Sequence, residues 1–573
     1  MNNLKYYQIL KENKLLASKN ANLKPYNIAL LSNCIISQLK EILEYSLHNK
    51  EINAKVQLGN YDNILQDSER FKNNNLIIIF WEIINFSEGF HYKVDTLSEN
   101  QISEIIDKAK SEIDFLFNTL KNSAFVILNK FQNNHFNNKK LDFIASELNN
   151  YIGKKVPSNF KIVDTNRIFN NISLDKSTDW QSYYLYKMPY TIDFFKAYAN
   201  KINPIIQAVQ GKAKKVLILD CDNTLWDGIL GEDGFDGIQL SQNDKKGAVF
   251  TEIQTLALEL KKQGVLLCLC SKNNENDINE VLENHPDMMI KNPDITIKKI
   301  NWDDKASNIK SIAKELNLGL DSFVFVDDSD FEINLIKDSL PEVTAIQVPK
   351  NIFSYPYEFR KIMPLFYTLS KTKEDKQRTI IYEQQVEREK EKTKFINIED
   401  YLESLEINLE IFVNEKQHIA RQAQMTQKTN QFNLSTIRYT ESEIGSFIKN
   451  PGFDIISIIV KDKFGDNGIT GLVILNYQDR SAHINTFLMS CRIIGRNIEF
   501  KLIDYIVNYL KNKNINTILS KYVKTLKNEQ VNDFYDKCGF ILIKQTDSEK
   551  YYSLKINDYK NSEINYINIK NGE

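Results

Sequence analysis

The sequence predicts a multidomain α/β protein built on parallel, doubly wound sheets. Three observations carry that prediction. The chain has 573 residues, too many for one hydrophobic core, and ~150 residues per domain gives three or four units. Short apolar runs of strand length alternate with amphipathic helical stretches. Carboxylates and a hydroxyl close successive apolar runs, where a doubly wound sheet places its site. Composition narrows the class further. Hydrophobic residues make up 42% and charged residues 26%, which excludes wholesale disorder and a collagen-like fibre. Basic and acidic residues number 73 and 75, so no global field recruits nucleic acid or an anionic membrane. No run reaches the ~18 apolar residues a bilayer span needs, and Met1 to Leu10 lacks a signal-peptide apolar core. Six cysteines without a CxxC pair suggest neither a disulfide scaffold nor a zinc site. The expectation is a cytoplasmic protein with no nucleic-acid or membrane partner.

The elements fall into blocks. In residues 1–205, Asn27–Leu31 and Leu76–Trp81 read as strands, Ile35–Leu47 as a helix and Phe160–Val163 as a further strand. In 211–365, Lys215–Leu219 is a buried strand running into Asp220. Val249, Ile253, Leu256 and Leu260 mark a helical face that Gly264 stops. Val265–Cys270 is the next strand, Ala306, Ile309, Ala313 and Leu316 another helical face, and Phe323–Val326 another strand. Residues 366–395 are charged and helix-prone, and read as a linker helix. Residues 396–556 combine helices with alternating strands such as Ala482–Met489. The tail, 557–573, is polar and expected to fray.

The middle block carries phosphate chemistry. Its first strand delivers Asp220 and Asp222 at i and i+2, on one side of the strand end, followed by Thr224. One carboxylate can attack phosphorus; the other can protonate the leaving oxygen and then activate water. Their repulsion calls for a cation, and Mg²⁺ prefers such oxygen ligands, here Asp220, Asp222, Asp327 and Asp328. Ser271, after the second strand, can donate to a phosphoryl oxygen, with Lys272 and Asn273 beside it as phosphate contacts. Lys305 can balance nucleophile and phosphate. These four motifs, in register after apolar strands, form the pattern of the haloacid dehalogenase superfamily. The gaps of 51 positions from Asp220 to Ser271 and 34 from Ser271 to Lys305 leave no room for a large cap. An open site suits a substrate presented on a protein, or one roofed by a neighbouring domain.

Longer motifs sharpen the resemblance. Residues 222–234 (DNTLWDGILGEDG), Ser271-Lys272-Asn273, residues 426–434 (TQKTNQFNL), 464–468 (FGDNG) and 490–496 (SCRIIGR) resemble the FkbH-like proteins, subclass IIIC of that superfamily, over about residues 25–555. The resemblance implies a bifunctional enzyme. It would take the glyceryl unit of 1,3-bisphosphoglycerate, remove its phosphate, and load glyceryl as a thioester onto the phosphopantetheine arm of an acyl carrier protein, for polyketide or related biosynthesis. It also implies a GNAT-like acyltransferase fold for the C-terminal block. There, Arg492-Ile-Ile-Gly495-Arg496-Asn497 matches five of six positions of the GNAT loop whose amides bind pyrophosphate, and Asp533–Phe540 resembles the closing GNAT segment. Cys491 precedes that loop. A thiol at a helix N-terminus beside Arg492 is expected to be acidified and nucleophilic, and His483 is a candidate base. Thr429, Asn430, Gln431, Asn433 and Arg438 form a dense polar group, and Phe464–Gly468 reads as a Gly-containing turn between strand-like runs; both are candidates to bind the acyl donor.

The first block looks like the start of an SGNH-type hydrolase, with a strand delivering Ser32. It departs from that pattern: Leu30-Leu31 replace Gly-Asp before the serine, and Asp179-Trp180-Gln181-Ser182 lacks the closing histidine. Without a base Ser32 is a poor nucleophile, so a non-hydrolytic domain is expected. The rival to the whole reading is a phosphatase for a free sugar or lipid phosphate, flanked by interaction modules.

Overall fold

The computed structural model describes all residues except 2–3, 134–136, 370–377, 393, 526 and 573. The chain divides into two compact units, Met1–Ile206 with Tyr439–Ser446, and Gln207–Arg438 with Phe447–Glu573.

The first unit is built on a parallel sheet of β1 (Tyr26–Ser32), β2 (Ala54–Leu58), β3 (Leu76–Phe80), β4 (Val126–Asn129) and β5 (Phe160–Val163) in the order β2-β1-β3-β4-β5. The five residues of β3 are all buried, as expected of a central strand covered on both faces. Each such Ile or Leu contributes about 1.5–3 kcal/mol by leaving water. β2 and β4 escape the sequence reading because they are short, and β2 alternates Ala, Lys, Val and Gln under only partial burial. The order reverses between β1 and β3, so Ser32 closes one strand at the switch point. Its hydroxyl donates to the Cys34 carbonyl at 2.5 Å, and Asp179 caps the helix Trp180–Tyr186 through Ser182.

The second unit contains two sheets. One is parallel: β6 (Val216–Leu219), β7 (Leu266–Ser271), β8 (Ile297–Ile300), β9 (Phe323–Asp327) and β10 (Thr344–Gln347), ordered β10-β9-β6-β7-β8. Helices Gly247–Lys262 and Lys305–Glu315 lie where the apolar spacing puts them. Between Asp220 and Ser271 the described helices are only Leu230–Asp233 and Gly247–Lys262.

The other sheet is largely antiparallel. Its strands are β11 (Ile407–Val413), β12 (Phe432–Asn433), β13 (Phe453–Asp462), β14 (Gly465–Gln478), β15 (Ser481–Met489), β16 (Thr517–Val523), β17 (Ile541–Gln545), β18 (Glu549–Lys555) and β19 (Ile567–Asn571). The order is β17-β18-β16-β15-β14-β13-β11-β19, with β12 on β15. The helix Ile498–Asn512 packs its Leu502, Ile503, Ile506 and Leu510 into the core beside Val473, Ile484 and Phe487.

Three expectations are corrected here. The tail does not simply fray, because β19 pairs parallel with β11 and occupies that edge of the sheet. The expected linker helix is a structural element over Arg378–Lys392: Arg388 is 1% exposed and forms a bidentate pair with Asp462 at 2.8 Å. Residues 370–377 of that call lie outside the described residues. The segment Phe464–Gly468 is not a free turn, because most of it begins β14.

Candidate active site

β6, β7 and β9 end side by side, and their last residues meet at the carboxyl edge of the sheet. Lys305, first residue of its helix, lies 2.8 Å from Asp220 and 2.6 Å from Asp327. All three are buried. Burial works against the Lys305 ammonium, and the carboxylates of Asp220 and Asp327 outweigh it, so its pKa is raised. Burial pushes Asp220 up to about 7, with Lys305 opposing and Asp327 adding to the rise. Asp328 is raised by burial and by Asp327.

Ligand oxygens of Asp220, Asp327 and Asp328 lie within 4.8 Å of one another. Three carboxylates against one ammonium leave a charge deficit that a divalent cation matches, and an all-oxygen donor set suits Mg²⁺. These residues therefore fit the expected ion. The Asp222 side chain is not among them. Its carboxylate accepts from Trp226 Nε1 and the Leu230 N–H, both at 3.0 Å, and from Asn273 Nδ2 at 2.8 Å. Those three donors fix the orientation of the Asp222 carboxylate. The turn that supplies two of them needs Gly228 at φ +108°, a backbone angle L-residues avoid.

Other sequence-predicted residues divide. Ser271 accepts from Asn273 at 3.2 Å and stays at the centre. Asn273 Nδ2 bridges Asp222 and Ser271. Thr224 is fully buried beneath the loop. Lys272 pairs with Glu332 at 2.7 Å, so its charge is already matched.

In the C-terminal part of the same unit, Arg496 pairs with Asp462 at 2.8 Å and donates to Gln385, which spends its charge inside the protein. Arg492 is buried and its Nε donates to Ser490 Oγ at 3.3 Å. Gly495 keeps a left-handed φ of +80°. Asn497 precedes the helix that begins at Ile498 in a left-handed conformation, makes no side-chain capping bond, and donates to the Tyr566 hydroxyl. Asn430 accepts from Arg438 and donates to the Gly211 carbonyl, which ties these segments of the unit together.

Cys491 is half-buried and opens the short turn Cys491–Ile493, not the long helix that begins seven residues later. Its Sγ lies 3.8 Å from the Tyr382 hydroxyl, and it packs on the core of β6, β7 and β9. Its carbonyl accepts from Asn317 at 2.6 Å. Asn317 follows the helix that starts at Lys305, and 11 helical residues span about 16 Å. The thiol therefore stands at the opposite end of that helix from the carboxylates. His483 sits on β15 eight positions before Cys491, about 25 Å along extended chain, and does not serve as its base. It lines a pocket of about 460 Å³ with Asn485, Ser520, Lys521 and Tyr551.

No family model and no curated protein matches the sequence. Among solved structures, the chain is similar to the N-terminal part of a Bacteroides fragilis protein containing a phosphatase domain complexed with Mg. Identity is 27%, the match covers 63% of this chain and 99% of that one, and the TM-score is 0.56. It also matches the ribosomal-protein-S18-alanine N-acetyltransferase of Escherichia coli (11% identity, 26% of this chain, 94% of that chain, TM-score 0.21). A third match is spermidine N-acetyltransferase of Vibrio cholerae (17% identity, 26% of this chain, 94% of that chain, TM-score 0.21). No helix among the described residues is long and apolar enough to cross a membrane.

Proposed function

We propose that the chain is a Mg²⁺-dependent phosphatase coupled to acyl transfer, loading glyceryl from 1,3-bisphosphoglycerate onto the phosphopantetheine thiol of an acyl carrier protein. The observation that carries the phosphatase half is the buried group Asp220–Lys305–Asp327 beside Asp328 and Asp222. The likeness to a Mg-bound phosphatase domain supports it. Asp220, Asp327 and Asp328 would hold the ion, which when bound offsets negative charge on the phosphoryl oxygens. An Asp220 oxygen bonds to phosphorus as the ester P–O bond breaks, and Asp222 gives the leaving oxygen its proton. Water then attacks the aspartyl phosphate, Asp222 takes its proton, and inorganic phosphate leaves.

The acyl half rests on Cys491 and on the FkbH-like motifs. The thiolate attacks the acyl-phosphate carbon, a C–S bond forms, and phosphate departs with the C–O electron pair. The pantetheine thiol then takes the acyl group by thioester exchange. The separation between Cys491 and the carboxylates calls for a carrier arm that visits each in turn, and tethering supplies the effective concentration. The first unit is read as a non-hydrolytic SGNH-like module. The direct test is Mg²⁺-dependent release of phosphate from an aryl phosphate. We expect Asp220→Asn to abolish it, and wild-type rates in that variant would rule out the assignment.

A further inference from the structure

The motifs 426–434, 464–468 and 490–496 each belong to or adjoin the third sheet, outside the residues the phosphatase chemistry uses. The Ser490 N–H donates to the Thr470 carbonyl at 2.7 Å, which makes β14 and the chain entering Cys491 neighbours. The helix Ile419–Lys428 lies across β13 and β14 here: His418, just before it, meets Ser457 at 2.9 Å, and Arg421 reaches the Ile469 carbonyl at 3.3 Å.

Two side chains in this layer are anomalous. Gln422 is fully buried, and neither its Nε2 nor its Oε1 has a hydrogen-bond partner. Thr470 is fully buried and its Oγ1 has none. An unmade hydrogen bond on a buried polar group costs about 1–3 kcal/mol, and three such atoms in one layer are a large cost without return. Thr470 is also the extra residue of a β-bulge. Gly471 pairs with Ile458 and Ile469 with Ile459, leaving Thr470 with no opposite number. Bulges re-aim side chains and are common beside active sites. Thr470 and Gln422 together offer a hydroxyl, an amide N–H₂ and an amide carbonyl. All are neutral, and the combination is complementary to hydroxyl groups, which both donate and accept.

We propose that Gln422 and Thr470 form the recognition site for the hydroxyl groups of a small hydroxylated acyl group held on Cys491. The proposal rests on the acyl-transfer reading above and adds the residues that set its selectivity. A site built to hydrogen-bond a substrate hydroxyl discriminates strongly against analogues that lack it, because its own polar groups are then left unpaired.

The test measures adduct formation on Cys491 by intact mass, with 1,3-bisphosphoglycerate and acetyl phosphate as alternative donors to the full chain. Wild type is expected to acylate at least about tenfold faster with the hydroxylated donor. Thr470→Val and Gln422→Met keep size and shape, and each should lower that ratio about tenfold. Thr470→Ser should retain the ratio, a rescue that a packing role would not produce. Aryl-phosphate release and the thermal midpoint report that the variants are folded. Equal rates from the two donors in wild type overturn the proposal without any variant. An unchanged ratio in both variants overturns it while leaving acyl loading intact. No adduct from either donor, with iodoacetamide still alkylating Cys491, overturns the acyl-transfer reading and this proposal with it.

Discussion

At the residue scale, the phosphatase centre depends on how neighbours hold each acid. Asp222 receives three donors, and Asn273 bridges it to Ser271. Asn273→Ala removes one of those donors and lets the carboxylate swing. We expect kcat for aryl-phosphate release to fall about tenfold or more with little change in KM, since positioning a proton-transfer group contributes about 10²–10⁴-fold. A fall confined to KM would show that Asn273 binds phosphate instead. In the first unit, burial pushes Glu82 up to about 7, with the Tyr190 hydroxyl opposing the rise. Its native pKa lies above its unfolded value, so the native state holds the proton more tightly. The stability this lends is complete below about pH 4.5 and is lost as pH rises through 7. Glu82→Gln should therefore raise the thermal midpoint at pH 8 and leave it nearly unchanged at pH 5. A larger gain at pH 5 would reverse the assignment. The same scale shows what sequence spacing hides. Asp220, Ser271, Lys305 and Asp327 were legible because each closes or follows an apolar run. The partners that neutralise Lys272 and Arg496 were not, because Glu332 and Asp462 lie 60 and 34 positions away.

At the element scale, the helix Arg378–Lys392 is fixed by charge as much as by apolar contact. Arg388 and Arg496 both pair with Asp462, which is fully buried at its side chain. Removing one partner of a buried pair costs about 3–5 kcal/mol, because the remaining charge stays buried. Asp462→Ala leaves two guanidinium groups uncompensated and should lower the denaturation free energy by at least that much. Arg388→Met, which keeps the volume, should cost less. Equal and negligible effects in urea melts would contradict the network. The C-terminal strand makes a second case. A tail of 17 residues rich in Asn gave no strand signal, yet Ile567 and Ile569 face the requirement of an open β11 edge. Propensity is weak in such a segment, and pairing with a waiting edge decides it. The β14 start was misread for a related reason: Gly465 and Gly468 look like a turn, and here Gly468 takes φ +66° within a bulged strand.

At the scale of the whole molecule, the phosphatase centre and Cys491 occupy opposite ends of one helix in the second unit. The parallel middle sheet was visible from strand–helix alternation. The docking of the C-terminal sheet onto the middle one was not, since contacts such as Asn317 with Cys491 and Lys527 with Asp321 join residues 174 and 206 positions apart. Two separate centres predict separable losses. Ser32→Ala should leave both activities nearly intact, because its hydroxyl is engaged with the Cys34 carbonyl, and a loss matching that of Asp220→Asn would reveal a working hydrolase site in the first unit. The central claim is that one chain removes a phosphate at Asp220 and transfers an acyl group through Cys491. The measurement that tests it most directly is the intact mass of a phosphopantetheinylated acyl carrier protein after incubation with 1,3-bisphosphoglycerate, Mg²⁺ and each variant. The account predicts glyceryl on the carrier with wild type, a phosphorylated glyceryl adduct accumulating with Asp220→Asn, and an unloaded carrier with Cys491→Ala even as aryl-phosphate release continues. Full loading by Cys491→Ala, or a dephosphorylated product from Asp220→Asn, would contradict it.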